Sequence, residues 1–352
     1  MLSRPWKKKG APSEKGPATA ELFPQGMKVL YQPLKADVDI VFVHGLTGDR
    51  ERTWTKNGTC WPQSLLPGEI PTARVMTYGY DAYFLRRHGP VLSHRIRDHA
   101  LDLLNALAAS RAKGEAEQRP IIFVVHSLGG IVCKDALVVA NRGPEQYLHM
   151  IFESTHGIVF MATPHSGSAL ADMARLPMQV FGLVRSVNSD LVSVLETQSE
   201  VLERIQSDFL ALVRSRATLG SPFNIICFYE SLPMSKMGII VPKDSAILPG
   251  YHCGSIRADH RDIVRYETTE DPGFVDVVSV LQRWVNSNAG QLYVLREAKG
   301  RFLRFLAFPG IEARRVAIGN PAQDTCSWIF GTRFIKTGRL ANDSIARMAS
   351  CG

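Results

Sequence analysis

The sequence predicts an α/β fold whose sheet is mostly parallel and doubly wound, with helices on both faces. Short continuous apolar segments recur along residues 26–288, and such segments are typical of strands buried on both faces. Helical patterns separate several of them, as the crossovers of a parallel sheet require. A hydrophobic content of 45% and a charged content of 21% are those of a globular protein.

The strand signals are apolar segments that end at turn-forming residues. They predict strands at residues 28–31, 39–43, 74–80, 121–125, 157–162, 224–229 and 238–241. Helical spacing predicts helices at residues 93–112, 130–141 and 274–285, the last of these closing the domain at residue 288.

Three segments fall outside this alternation. Residues 168–216 form an insert with helical spacing, which is either a lid over an apolar acyl pocket or a packed helical excursion. Residues 1–25 form a basic arm that we expect to be disordered; the alternative is that its lysines at 7–9 contact an anionic membrane or act in targeting. Residues 289–352 are richer in arginine and glycine and show no clear strand alternation, which predicts a helical or irregular extension.

Charge and cysteine content exclude several classes of protein. The net charge of +8 is dispersed, without a basic helix stripe, so we expect no nucleic-acid partner. No apolar segment reaches the ~18 residues of a spanning helix, and residues 1–16 lack an apolar leader, so we expect an intracellular, cytoplasmic protein. The six cysteines show no C-x-x-C spacing, which favours free thiols in a reducing compartment.

A serine stands at the junction of a predicted strand and a predicted helix. The sequence His-Ser-Leu-Gly-Gly at 126–130 follows the apolar segment 121–125. Such a turn exposes the hydroxyl of Ser127 at the carboxyl edge of a parallel sheet, beside a helix N-terminus. The pattern departs from G-x-S-x-G at Val125, where a glycine is usual. An ordinary strand–helix loop is the alternative to a nucleophile elbow.

A second turn offers donors for an oxyanion. The predicted strand 39–43 ends in His-Gly-Leu-Thr-Gly, and the glycine at 45 lets the backbone approach a substrate. Serine hydrolases of this kind use one N–H from such a loop and one from the residue after the nucleophile. We therefore predict the N–H groups of Leu46 and Leu128 as the oxyanion hole.

A base and an acid should follow the nucleophile along the chain, the acid first. His260 lies in a predicted loop that enters a short helix, whereas His252 lies in a glycine-flanked turn and is better explained as structural. Glu230 directly follows the predicted strand 224–229, which is where an orienting carboxylate belongs. Asp244 is the alternative acid.

Five further residues are predicted to line the site, and none of the predicted roles needs a cofactor. His165 lies in a proline-containing turn and lacks partners at metal-ligand spacing, so we expect no metal. The five residues are His44, Gly45, His126, Gly129 and His165.

These segments together resemble the serine-active-site-containing α/β-hydrolases related to the DUF676 lipase-like proteins. The resemblance covers residues 26–288 and is greatest to the version at the N-terminus of fungal NACHT/NLR-like receptors. It rests on several motifs in the right order: Val-His-Gly-Leu at 43–46, Trp at 54, Val-Met-Thr-Tyr-Gly-Tyr at 75–80, His-Ser-Leu-Gly-Gly at 126–130, Ala-Thr-Pro-His-Ser-Gly-Ser at 162–168, Phe-Tyr-Glu at 228–230, Val-Pro-Lys-Asp-Ser-Ala at 241–246 and Ala-Asp-His-Arg at 258–261.

The resemblance implies an α/β-hydrolase fold and an esterase or lipase activity on acyl-ester or lipid substrates. Carried over residue by residue, it gives Ser127, Glu230 and His260 as the triad, with Leu46 and Leu128 as oxyanion donors. It also implies a link to phospholipid handling and to the membranes of mitochondria or the endoplasmic reticulum.

The extension carries a resemblance of its own. Residues 305–315 and 324–330 are similar to the connector that precedes the NACHT nucleotide-binding module in those receptors. The phosphate-binding string G-x-x-x-x-G-K-[ST] is absent from the sequence, so we expect no nucleotide binding. The aromatic residues of this extension favour self-association if they stay exposed.

Three hypotheses from different classes remain. The leading one is a serine ester hydrolase that works through an acyl-enzyme. The second is a signalling or interaction domain that keeps the hydrolase fold, because fold does not dictate function. The third, weaker one is a peripheral membrane protein that uses its basic arm and helical insert.

Overall fold

The computed structural model describes residues 24–45, 48–80, 92–112, 116, 118–165, 189–235 and 237–287; at 92–95 and 189–200 it describes the backbone alone. The chain divides into two units, Met1–Ala289 and Gly290–Gly352, and all described residues belong to the first. Residues 1–23 of the predicted basic arm lie outside the described residues. The predicted connector-like extension at 289–352 lies wholly outside them.

A seven-stranded sheet forms the centre of the domain, with strand order β1-β5-β2-β6-β7-β8-β9. All neighbours are parallel except β1, which pairs antiparallel with β5. This is the mostly parallel, doubly wound sheet that the sequence predicts. The strands are β1 (Gly26–Tyr31), β2 (Val38–Val43), β5 (Ala73–Gly79), β6 (Ile121–His126), β7 (Thr155–Met161), β8 (Asn224–Glu230) and β9 (His252–Ile256), with β3 (Thr55–Lys56) and β4 (Thr59–Cys60) forming a separate small hairpin.

Helices cover both faces of this sheet. They are α1 (Trp61–Ser64), α2 (Leu66–Glu69), α3 (Leu92–Ala112), α4 (Leu128–Arg142), α5 (Gln146–Ser154), α6 (Ser189–Thr218), α7 (Lys243–Ala246) and α8 (residues 272–287), together with short 3-10 turns at Arg52–Trp54 and Asp262–Val264. The three helices predicted from apolar spacing are all present, extended by one, three and four residues in chain order. The α/β-hydrolase fold class is therefore confirmed.

Two apolar cores lie on opposite faces of the sheet. One core packs α3, α4, α5 and α6 on the sheet, and within it the ring of Phe209 on α6 meets Phe160 on β7 edge-on at 6.1 Å. The other core packs α1, α2 and α8, and there Phe42 on β2 contacts the rings of Trp54 and Trp61 at 5.0 and 5.1 Å. Burial on both faces explains why β2 and β6 are apolar along nearly their whole length.

The last strand lies elsewhere than predicted. The apolar segment 238–241 forms only a single bridge between Met234 and Gly238, and the strand that completes the sheet is β9, where a turn around His252 was expected. The prediction was wrong because apolarity marks burial and not strand pairing. Ile240 and Val241 are buried within a loop, whereas β9 is a mostly exposed edge strand with little apolar content.

The helical insert is described only in part. Helix α6 (Ser189–Thr218) covers its second half, and the described side chains of α6 pack against α4 in the first core. Residues 166–188 lie outside the described residues, so the choice between a lid and a packed excursion stays open for that half. Among the described helices, none combines the length and the apolarity that crossing a membrane requires.

A buried ion cluster fixes the start of β2. Asp39 is fully buried, and Arg74 donates to both of its carboxylate oxygens at 2.8 and 3.0 Å. Arg111 and Arg119 donate to the same carboxylate. The cluster ties β2 to β5, to the last turn of α3 and to the chain that leads into β6. Removal of the Asp39 carboxylate would therefore leave the buried guanidinium groups without their counter-charge.

Replacement of Asp39 by asparagine should lower the free energy of unfolding by about 3–5 kcal/mol, because breaking a buried ion pair leaves an uncompensated charge. Urea unfolding at neutral pH measures the loss. The matched control is Asp276→Asn on the exposed side of α8, which should change the free energy by less than about 0.5 kcal/mol. Equal effects of the two changes would contradict a structural role for the Asp39 cluster.

Candidate active site

Ser127 occupies a strained turn between β6 and α4. Its φ of 53° and ψ of −127° lie where a residue with a side chain is rarely found, and such a conformation costs about 1–3 kcal/mol. The surrounding backbone holds it there: the N–H of Ser127 donates to the carbonyl of Met161 at 2.9 Å, and the N–H of Gly130 donates to the carbonyl of Ser127 at 3.0 Å. The turn therefore presents the serine hydroxyl at the carboxyl end of β6.

The close approach of neighbouring chain segments explains the two glycines after the serine. A Cβ on Gly129 would collide with the carbonyl oxygens of Val43 and His44 at the end of β2. A Cβ on Gly130 would collide with the side chain of Thr163 after β7. Val125, which departs from the usual motif, lies fully buried in the core of β6, where an apolar side chain is accommodated.

One hydrogen-bonded chain joins Ser127, His260 and Glu230. The Nε2 atom of His260 lies 3.0 Å from the Oγ atom of Ser127, and its Nδ1 atom lies 2.6 Å from Oε2 of Glu230. A carboxylate only accepts, so Nδ1 carries the proton and Nε2 is left to accept one from the serine. The structure thus brings the three predicted residues into the arrangement of a nucleophile, a base and an orienting acid; their catalytic roles stay predictions.

Glu230 is held by the chain that follows it. Its other carboxylate oxygen accepts the N–H groups of Ile240 at 2.5 Å and Val241 at 3.2 Å. Asp244 lies exposed in the first turn of α7, and His252 lies exposed on β9. The described contacts of His260 therefore go to Glu230 and not to the alternative acid.

One of the two predicted oxyanion donors, Leu128, lies within the described residues. Leu128 is the first residue of α4, so its N–H has no acceptor within the helix and lies at the positive end of the helix dipole. Leu46 lies outside the described residues. The residue before it, Gly45, packs against the nucleophile, because a Cβ added there would lie 2.7 Å from Cβ of Ser127. The loop after β2 thus reaches the serine.

Tyr80, which is not among the predicted site residues, holds this loop. The hydroxyl of Tyr80 donates to the carbonyl of His44 at 2.9 Å, and the backbone N–H of Tyr80 donates to Nε2 of His44 at 3.3 Å. The two rings stack with their centroids 4.4 Å apart. The Nδ1 atom of His44 in turn donates to the carbonyl of Gly45 at 2.9 Å. Tyr80 is the last residue of the predicted strand 74–80. Because the site lies at the carboxyl edge of the sheet, this position was the sequence feature that could have indicated a role for Tyr80.

Burial keeps His44 neutral. It lowers the pKa of His44 from its usual 6.5 to about 4, against smaller raising effects of the Gly45 carbonyl and Asp49. His44 is therefore uncharged at neutral pH, where its ring supports the loop through its bonds to Tyr80 and Gly45.

His126 and His165 have different surroundings. His126 lies beside the triad, where its Nε2 atom donates to the carbonyl of His260 at 2.9 Å. His165 belongs to a separate buried cluster: its Nδ1 atom accepts from Lys134 at 2.7 Å, and its Nε2 atom lies 3.6 Å from Sγ of Cys227. The described contacts of His165 go to Lys134 and Cys227 and not to the triad, so they do not support its predicted site-lining role.

The lysine of this buried cluster was also missed. Lys134 on α4 is fully buried and donates to Oε1 of Gln206 on α6 at 2.6 Å. Burial lowers the pKa of Lys134 to about 7, and burial followed by the charge of Lys134 lowers the pKa of His165 well below its usual value. The sequence shows only a single lysine within an apolar helical pattern, which does not predict a contact with a residue 72 positions away.

Within the described residues, no group of three or more His, Cys, Asp or Glu side chains is arranged to hold a metal ion.

The buried, neutral His44 predicts a loss of stability in acid. Its pKa is lower in the folded than in the unfolded chain, so the unfolded chain takes up the proton first as the pH falls from about 6.5 towards 4. The contribution of neutral His44 to the free energy of unfolding is therefore fully present above pH 6.5 and is lost as the pH falls towards 4. We expect His44→Asn to remove roughly 2–3 kcal/mol of the decrease in the free energy of unfolding between pH 7 and about pH 4.5. Urea unfolding of both proteins at pH 7 and at the acid pH measures the difference.

The control for this measurement is His252→Asn, since His252 is exposed on β9. It should leave the fall unchanged. The same fall in wild type and His44→Asn would mean that other groups, such as buried His126 and His165, carry all of the acid sensitivity.

Comparison with known proteins gives a family and several relatives. The model of the alpha/beta hydrolase family matches residues 40–286. Protein SERAC1 of Bos taurus is 33% identical over 242 residues, which are 62% of this chain and 34% of that protein. Protein SERAC1 of Mus musculus is 29% identical over 281 residues, which are 71% of this chain and 40% of that protein. The chain thus spans between a third and two fifths of the length of these relatives.

Solved structures with a similar course of the chain include two hydrolases. The NocB thioesterase domain from the nocardicin cluster is 14% identical with a TM-score of 0.39, over 74% of this chain and 99% of that domain. A putative aryl esterase from Burkholderia cenocepacia is 17% identical with a TM-score of 0.39, over 74% of this chain and 94% of that one. The family model covers most of the chain, including all three residues of the hydrogen-bonded triad. The chain belongs to the alpha/beta hydrolase family.

Proposed function

We propose that the chain is a serine hydrolase that cleaves carboxylic esters through an acyl-enzyme. The observation that carries this proposal is the continuous hydrogen-bonded chain from Ser127 through His260 to Glu230, with distances of 3.0 and 2.6 Å. A serine hydroxyl becomes a nucleophile only beside a base that can take its proton. The strained turn places the serine hydroxyl at the carboxyl end of β6. The N–H at the start of α4, which has no acceptor within its helix, supplies the oxyanion donor that acyl transfer needs.

In the first half of the proposed reaction, Oγ of Ser127 attacks the carbonyl carbon of the ester while Nε2 of His260 takes the hydroxyl proton. The carbonyl oxygen becomes an oxyanion that accepts the N–H of Leu128, with the N–H of Leu46 as the second proposed donor. The tetrahedral centre then expels the alkoxide, which takes the proton from His260, and an acyl-serine remains.

In the second half, a water molecule repeats these steps. His260 takes one proton from the water, the resulting hydroxide adds to the acyl carbonyl carbon, and the serine oxygen leaves with the proton from His260. Glu230 accepts the Nδ1–H group throughout and stabilises the imidazolium that forms twice in the cycle. The chemistry requires neither a metal nor a cofactor.

The finer assignment is also a proposal. We place the chain in the serine-active-site-containing branch of the family, which the ordered motifs and the matches to Protein SERAC1 support. We further propose acyl-lipid esters as the substrates and a peripheral contact with an intracellular membrane. Since the chain spans only 34–40% of these relatives, their activities are not transferred to it.

Replacement of Ser127 by alanine should abolish the hydrolysis of a p-nitrophenyl ester, with a loss in kcat of about 10⁴-fold or more, and should abolish covalent labelling by a fluorophosphonate. The melting temperature should change little, because alanine meets the same backbone strain as serine. Fluorophosphonate labelling followed by mass spectrometry of the modified peptide measures the effect.

Two outcomes would count against the proposal. Labelling that persists on Ser127→Ala would reject this serine as the nucleophile. A folded wild type that is neither labelled nor active would favour the alternative that the hydrolase fold serves as an interaction or signalling domain.

Glu230→Gln should lower kcat by about 10²- to 10⁴-fold, because the neutral amide no longer stabilises the imidazolium and does not enforce the productive tautomer. Asp244→Asn is the matched control. It is an exposed acid in the same part of the chain and should stay within about twofold of wild type. Steady-state kinetics on the same ester compare the two, and a larger loss for Asp244→Asn would transfer the role of the acid to that residue.

A further inference from the structure

His126 lies against the main chain of the predicted base. Its Nε2 atom is 2.9 Å from the carbonyl oxygen of His260, and the two imidazole rings lie 4.9 Å apart with an angle of 41° between their planes. A carbonyl oxygen only accepts, so Nε2 of His126 carries the proton and donates it. The bond therefore fixes the tautomer of His126 as well as the carbonyl of His260.

The base needs such a support, because His260 lies in an irregular turn. It follows β9 and precedes the 3-10 turn Asp262–Val264, and it belongs to neither element. The carboxylate of Asp259 accepts the N–H groups of Arg261 and Asp262 at 3.0 Å each, which closes the turn locally. These bonds hold the turn together, but they do not attach it to the strand that carries the nucleophile.

The bond from His126 supplies that attachment. His126 is the last residue of β6 and directly precedes Ser127 in the chain. This bond joins residues 134 positions apart, and His126 is only 7% exposed, so solvent competes little for the bond. The nucleophile and the main chain of the base are thus tied to neighbouring positions at the end of one buried strand.

We propose that His126 is a positioning residue, which holds the main chain of His260 so that Nε2 of that residue stays within reach of the Ser127 hydroxyl. The inference rests on the proposed function, since it concerns the base of the same reaction. Burial, and next the nearby His260, lower the pKa of His126 well below its usual value. His126 therefore stays neutral while His260 carries the proton, and it adds no second positive charge beside the imidazolium.

The main test compares three substitutions in the full chain. His126→Leu removes the donor at similar volume, His126→Gln keeps an N–H at a similar distance from the backbone, and His126→Asn keeps an amide that is one methylene shorter. We expect His126→Leu and His126→Asn to lower kcat by about 10- to 100-fold with KM within about twofold, since a small displacement of a catalytic group has an effect of this size. His126→Gln should recover most of the activity.

A second comparison separates positioning from a general loss of structure. In a His260→Ala background the base is absent, so His126→Leu should cause no further loss of the residual activity or of the residual labelling rate. A further loss in that background would overturn the proposal, as would an unchanged kcat in His126→Leu or equal losses in His126→Gln and His126→Leu.

A third measurement does not depend on turnover. Proton NMR of the hydrogen-bonded Nδ1 proton of His260 reports its contact with Glu230, and the signal should weaken or vanish in His126→Leu and persist in His126→Gln. If wild type hydrolysed no ester and this pattern were still observed, the proposed function would fail and the positioning role would stand. An unchanged signal in all variants would overturn the positioning role.

Discussion

The turn at Ser127 depends on tight packing around a strained backbone. The positive φ of this residue is unfavourable for any side chain, and the turn persists because the chain on both sides is fixed: β6 is buried in the sheet, and α4 begins directly after the serine. Two further segments close on it, the end of β2 against Gly129 and the turn after β7 against Gly130. A larger residue at either glycine would force these segments apart.

The carboxylate of Glu230 connects the site to the irregular chain beyond β8. One of its oxygens orients the imidazole of His260, and the other accepts two N–H groups from residues 240 and 241. A carboxylate with both oxygens engaged cannot rotate without losing a charge-assisted hydrogen bond. The loop that follows β8 is therefore shaped by the same group that orients the base, which explains why its apolar residues are buried without forming a strand.

Three histidines around the nucleophile have separate tasks because their environments differ. His44 and His126 are buried, donate to backbone carbonyls and have lowered pKa values, so they act as fixed neutral donors. His260 is partly exposed and bonded to a carboxylate, the arrangement that suits a residue whose charge changes during a reaction. Tyr80 extends the first group, since it holds the carbonyl and the ring of His44 together.

Features that depend on residues adjacent in the chain could be predicted before the fold was known. Strand–turn–helix order around Ser127, the glycine after His44 and the acid directly after the predicted strand 224–229 are local patterns, and they were sufficient to predict the fold class and to select the residues that the structure joins. The choice between Glu230 and Asp244 was left open by the sequence, because both follow apolar segments.

The remaining features depend on contacts between elements that are distant in the chain. The last strand of the sheet is β9 and not the apolar segment 238–241, because β9 pairs with β8 and the apolar segment does not. The apolarity of a segment does not reveal which strand it pairs with. Contacts between residues 30 to 134 positions apart brought Glu230 and Ser127 to His260, linked His126 to the His260 carbonyl, and drew His165 into the buried cluster of Lys134. No local pattern encodes such contacts, since each arises where two elements that are distant in the chain meet at one edge of the sheet.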